Sequence, residues 1–211
     1  MYYELRNIIE GFGESPKGNF IQTALFYLRK SETASRTSEK SEFINKKDEV
    51  NNLIVFADEN QLWYPFLDEE KYIGEGSEQK VFLNDDGKHV IKINDTIFYE
   101  TWRDYFVSLL IHNFLFPTTS YELLGFYQKS EIFYAVVKQP FIESTEPTDL
   151  AKLRLFLERN GFKHRKNNDY FNTELRIILE DLHDENVLTN QSVFFFIDTV
   201  IYLIPEKKIK Q

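Results

Sequence analysis

Residues 178–188 read ILEDLHDENVL. Asp181, His183, Asp184, Glu185 and Asn186 are packed into six positions between apolar flanks. An exposed acidic turn explains the charges. It does not explain the interval Asp181-x-x-x-x-Asn186, nor the strand-like VFFFIDTVIYL at 193–203, which carries Asp198 in its middle. A carboxylate inside an apolar run needs a partner. A metal ion is one such partner, and backbone donors at a strand end are another.

Upstream, the strongest local pattern is KYIGEGSEQKVFLNDDGKHVIKI, residues 71–93. YIGEGSEQKVFL reads as strand, glycine turn, strand. NDDGK is a hairpin turn with Asp86-Gly87 at its tip, and HVIKI is the next strand. The pattern predicts three antiparallel strands over about 71–93. Gly74 and Gly76 let backbone N–H groups approach an anion with no Cβ in the way. Taken alone, the same glycines also suit an ordinary turn. Lys92, between two isoleucines, points opposite to both. It faces either a cleft or solvent.

Residues 95–116, DTIFYETWRDYFVSLLIHNFLF, carry Phe98, Trp102, Tyr105, Phe106, Leu109 and Leu110 at helical spacing. Asp95 is the expected cap and Pro117 the stop. YELLGFYQ and IFYAVVKQPFI read as strands flanking a KSE turn, and PTDLAKLRLFLERNGF as a short helix closed by Gly161. Near the N-terminus, 19–30 reads as a helix with Asn19 at its start, and the polar, Ser/Thr-rich 31–49 as a linker. No internal repeat is visible.

The chain has 211 residues with 20 Phe and 12 Tyr, enough for one aromatic-rich core. A net charge of −9 argues against nucleic acid as the main partner, because phosphate backbones attract basic faces. With no cysteine there is no disulfide framework, thiolate nucleophile or Cys-based zinc site. The four histidines share no metal-ligand spacing. No basic, apolar leader and no run of about 20 apolar residues is present, so a cytoplasmic protein that does not contact membranes is expected. Trp63, Trp102 and Phe194–Phe196 are expected in the core.

The order of these pieces is glycine turn, strand lysine, helix, two strands, D-x-x-x-x-N, and an aspartate in an apolar strand. It resembles the protein-kinase-like superfamily. LLIHNFLFPTTSYELLGF, VVKQPFI and DLHDENVL resemble, more narrowly, the small polyvalent protein kinases of bacterial mobile elements. The resemblance covers about 62–204 and implies an α+β kinase-like fold. That fold has an antiparallel N-lobe sheet, a long helix and a reduced α-rich C-lobe, with 1–61 as an N-terminal helical segment and linker and 205–211 as a tail. It further implies ATP and Mg2+ as ligands. Gly74 and Gly76 would lie over the phosphates, with Lys92 on the α/β-phosphates and Glu100 as the helix partner of Lys92. Gln139 and Phe141 would contact the nucleotide, and Asn186 and Asp198 the metal. Asp181 would be the catalytic base, facing the cleft that holds Asp198. The phosphate acceptor would be a protein or a small molecule.

Departures from the pattern are specific. The third glycine is Gln79, H-R before the aspartate is Leu179-Glu180, and F-G after Asp198 is Thr199-Val200. His183, two residues after Asp181, resembles the D-L-H-x-x-N loops of small-molecule kinases. Thirteen residues follow Asp198, without an A-P-E segment. Three readings therefore stand beside one another. The chain is a reduced kinase, a pseudokinase-like binding module without turnover, or one module of a longer polypeptide.

Overall fold

In the computed structural model, residues 1–13, 19–36, 45–76 and 79–204 are described. The C-terminal tail 205–211 and residues 77–78 lie outside them. Three helices come first: α1 (Tyr2–Glu10), α2 (Asn19–Arg36) and α3 (Lys46–Asn60). The expected helix at 19–30 is therefore present and runs on to Arg36. The stretch 31–49, expected as a linker, instead includes the end of α2 and the start of α3. Asn45 caps α3, its side chain accepting from the Asp48 N–H.

Five strands follow as one antiparallel sheet: β1 (Tyr72–Glu75), β2 (Gln79–Leu83), β3 (His89–Asn94), β4 (Glu122–Lys129) and β5 (Ile132–Pro140). Their spatial order is β1-β2-β3-β5-β4. The three strands expected over 71–93 are present, with Gly87 at φ 64° in the hairpin turn. Period-two alternation separates the two faces of β3. Ile91 and Ile93 pack with Leu67, Phe82 and Val136 on one face. Lys92 lies between Val81 and Val137 in register and turns to the other.

The segment Leu62–Tyr64 joins the edge strand at a bulge in β4. Phe126 N–H donates to Leu62 O, and Tyr64 N–H to Phe126 O, each at 2.7 Å. Gly125 permits this approach. Its φ is +147°, and a Cβ there would stand 2.1 Å from Leu62 O.

Helix α4 (Trp102–Leu115) packs its aromatic side on the inner face of the sheet. Trp102 meets Phe133 at 5.2 Å between ring centroids, and Phe126 stacks on Phe133 at 5.1 Å. The helix starts six residues later than the Asp95 cap implied. Thr101 is the cap: Asp104 N–H donates to Thr101 Oγ1 at 3.0 Å, and the Thr101 hydroxyl donates to the Asp104 carboxylate at 2.7 Å. Asp95 instead closes a tight turn by accepting from Ile97 N–H at 3.0 Å. At φ 61°, Thr96 is incompatible with a continuous helix there.

Two residues of α3 hold this non-helical link. Lys46 Nζ donates to the carbonyls of Thr96 and Tyr99. Glu49, only 2% exposed, accepts from Trp102 N–H and from Arg103 Nε, both at 2.7 Å. A carboxylate on the first amides of α4 meets the positive end of its dipole. Helix α3 thus sets where α4 begins.

The second lobe holds α5 (Leu150–Arg159), capped by Asp149, and six short strands. Asn160 ends α5, and Gly161 follows it at φ +81°. Strands β6 (Lys163–His164), β7 (Tyr170–Asn172), β8 (Ile177–Glu180) and β11 (Val200–Leu203) form one sheet in the order β11-β8-β7-β6. Strands β9 (Val187–Asn190) and β10 (Val193–Phe196) form a hairpin. The run 193–203, expected as one strand, is therefore two. It pairs first with β9 and then with β8, and Asp198 lies in the break. Among the described residues no helix is long and apolar enough to cross a membrane.

Candidate active site

Between the sheet and the second lobe lies a cleft of about 450 Å3. Gly74, Gly76 and Val81 line it from β1, β2 and their turn, Val90 and Lys92 from β3, and Gln139 and Phe141 from the end of β5. Asn186, Leu188 and Asp198 line the opposite wall. Val81, Val90 and Leu188 give the cleft apolar lining, and Glu75 and Glu185 line it as well. Seven of the nine site residues expected from the sequence meet here.

Lys92 is 4% exposed and points into the fold. Its Nζ donates to Ile197 O at 2.8 Å. Tyr121 OH donates to the same oxygen at 2.7 Å, and Nζ stands 5.6 Å above the Tyr121 ring. Burial lowers the Lys92 pKa, and the Asp198 carboxylate opposes that shift. Burial also raises the Tyr121 pKa, with the Asp198 charge adding to it.

Glu100 lies elsewhere. It is exposed in the link before α4, and among the described residues no ion pair or hydrogen bond joins it to Lys92. The turn at Thr96 carries the residue before the first helical turn, away from the cleft. The α4 residue whose charge state responds to Lys92 is His112. Burial, reinforced by Lys92, lowers its pKa to about 3. His112 Nε2 donates to Thr119 O at 3.1 Å, and Gln139 Nε2 donates to the same carbonyl at 2.7 Å. Among the described residues, Gln139 Oε1 is buried without a hydrogen-bond partner.

The loop that opens ILEDLHDENVL turns sharply at Asp181, whose φ is 63°. Aspartate tolerates this left-handed conformation better than most residues. Asn186 Nδ2 donates to Asp181 O at 2.9 Å and to Asp181 Oδ2 at 3.2 Å. The backbone carbonyl of Asn186 accepts from Ile197 N–H at 2.9 Å and Asp198 N–H at 3.3 Å. One residue thus ties both aspartates together. Asp181 is exposed at the cleft's edge and is not part of its lining. His183 Nδ1 accepts from Glu185 N–H at 3.2 Å, and its Nε2 lies 3.1 Å from Asn186 Nδ2 and 3.4 Å from Asp181 Oδ2.

The donor set suits a hard cation and a phosphate chain. With Asn186 Nδ2 engaged, Oδ1 is the amide oxygen left to act as a ligand, and Asp198 lines the same cleft. Among the described residues no group of three or more His, Cys, Asp or Glu could hold a metal ion.

Sequence reasoning missed four contributors: Lys46, Glu49, His112 and Tyr121. His112 carried a signal, as a polar residue directly after the apolar run Leu109–Ile111 of α4. The others carried none, because their roles arise between elements distant in the chain.

Residues 46–205 match the family model described as a serine/threonine/tyrosine kinase found in polyvalent proteins. The match begins at the first residue of α3. No curated protein matches the chain.

Proposed function

Because the chain belongs to the serine/threonine/tyrosine kinases found in polyvalent proteins, we propose that it binds Mg·ATP in the cleft between the sheet and the second lobe. We further propose that it transfers the γ-phosphoryl group to a hydroxyl of a protein or small molecule in the cytoplasm. The observation that carries this is the convergence of Gly74, Gly76, Lys92, Asn186 and Asp198 on one cleft from four separate stretches of chain.

The roles follow from chemistry. ATP supplies the phosphoryl group, and Mg2+, which Asn186 and Asp198 would hold, would supply positive charge to its phosphates. The backbone around Gly74 and Gly76 cradles phosphate oxygens. Lys92 leaves the Ile197 carbonyl to meet them as a point charge. Val81, Val90 and Leu188 hold the flat ring, with Gln139 and Phe141 at its edge. Asn186 Oδ1 and the Asp198 carboxylate offer oxygen ligands to the metal. The Asp181 carboxylate takes the proton of the acceptor hydroxyl as its oxygen bonds to phosphorus and the β–γ bridging bond breaks. Glu100 has no part in this arrangement.

A second reading is a module that holds nucleotide without turnover. It is favoured by Lys92, which has a carbonyl for partner where an active kinase has a helix carboxylate. Thermal denaturation with millimolar ATP, with Mg2+ and with chelator, tests the common premise. Binding to the native state should raise Tm, by about 2.7 kcal/mol of stability at 100-fold excess over Kd. No shift in folded protein would defeat both readings. ADP release with an added acceptor separates them.

A further inference from the structure

We infer that Tyr121 is a positioning residue that aims the Asp198 carboxylate into the cleft and couples it to helix α4. The inference rests on the proposed Mg·ATP site.

The peptide unit between Ile197 and Asp198 is held at both ends. Its carbonyl oxygen accepts from Tyr121 OH at 2.7 Å and from Lys92 Nζ at 2.8 Å. Its N–H donates to Asn186 O at 3.3 Å. This peptide lies in the break between β10 and β11, so no sheet ladder holds it. Pinning both of its polar groups fixes the plane from which the Asp198 side chain departs.

The two donors to the carbonyl differ in kind. Lys92 is the group that phosphate oxygens attract when a nucleotide binds. The Tyr121 hydroxyl is buried and neutral, with Gln139 as its other side-chain neighbour, and carries no charge that phosphate would attract. Once Lys92 turns toward phosphate, Tyr121 is the donor left to hold the Ile197 carbonyl.

Tyr121 is itself fixed by α4. Tyr121 N–H donates to Asn113 Oδ1 at 2.6 Å, and Asn113 Nδ2 donates to Tyr121 O at 2.8 Å. The His112 ring packs against the Tyr121 ring at 4.7 Å. A continuous chain of contacts therefore runs from Asn113 on α4, through Tyr121 and the Ile197 carbonyl, to Asp198. It links helix and metal-ligand loop without a carboxylate on the helix.

Tyr121→Phe tests this, because the ring and its packing stay while the hydroxyl goes. Calorimetric titration gives two constants, ATP affinity with chelator and Mg2+ affinity at saturating ATP. The expected result is a roughly tenfold loss of Mg2+ affinity, the scale of losses at residues that orient metal ligands, with metal-free ATP affinity unchanged. A variant with lowered Tm but unaltered Mg2+ affinity would show a purely structural hydroxyl and overturn the inference. Wild-type protein that binds no nucleotide would instead overturn the proposed function beneath it. If Tyr121→Phe does not fold, Tyr121→Gln against Tyr121→Met repeats the comparison, since the two are close in volume and differ in the donor. Tighter Mg2+ binding by Gln supports the inference, and equal binding overturns it.

Discussion

Lys92 Nζ stands 2.8 Å from the Ile197 carbonyl oxygen, so the β3 lysine is tied across 105 residues of chain to the peptide that precedes Asp198. The tie brings the Lys92 ammonium and the proposed metal ligand into one cleft.

Lys92→Met should keep the fold. Methionine fills most of the same volume, relieves the burial of a cation, and leaves Tyr121 on the Ile197 carbonyl. Mg·ATP affinity should fall by about 2 kcal/mol, the worth of a hydrogen bond to a charged group. Calorimetry on protein of unchanged Tm checks it. Undiminished affinity would mean that Lys92 serves the fold and not the nucleotide.

Asp181→Asn and Asp181→Ala should part company in stability and agree in rate. Asparagine tolerates the φ of 63°, whereas alanine there should cost about 1 kcal/mol. Both remove the proton acceptor, so turnover should fall by about 10²–10⁴-fold while ATP affinity holds. Retained turnover in the asparagine variant would remove Asp181 from the chemistry.

Glu49→Ala should lower stability by about 2–3 kcal/mol, because it strips the Trp102 N–H and the Arg103 guanidinium of a buried acceptor. Glu49→Gln should recover part of that loss, since its amide oxygen still accepts. Urea unfolding of the three proteins gives the order. Equal stabilities would show that α3 does not set the start of α4.

His112 should make the protein acid-labile. Its folded pKa of about 3 lies well below the ordinary value of 6.5. Between these values the unfolded chain binds the proton and the folded chain does not, so stability rises with pH in that window. The contribution is complete above about pH 6.5 and is lost as pH falls toward 3, at about 1 kcal/mol per pH unit. His112→Gln keeps a donor for Thr119 and removes the titration. Unfolding free energies at pH 5 and pH 7 should differ more in wild type than in this variant. An equal difference would place the acid sensitivity elsewhere.

The strands over 71–93 were legible because period-two alternation and the Asp86-Gly87 turn are local properties. The turn of Lys92 away from Ile91 and Ile93 follows from the same alternation. The interval from Asp181 to Asn186 was legible too, since one tight loop brings the two side chains together. Less legible was the start of α4. Apolar spacing continues back to Phe98, yet Thr101 and Asp104 form the better cap, and Lys46 and Glu49 hold the preceding link from α3. The single strand expected at 193–203 fails for a related reason. Its alternation is continuous, but its two halves find different partners in β9 and β8.

By itself, then, the sequence determined an α+β, kinase-like order of elements and the residue types able to meet phosphate and metal. These depend on backbone geometry and short intervals, which neighbouring residues dictate. Only the tertiary structure decided what Lys92 touches. It set aside Glu100 and brought Tyr121 and His112 beneath the cleft. Such contacts join groups about 10 to 100 residues apart, and they form because a buried ammonium or carbonyl must find a partner wherever packing offers one.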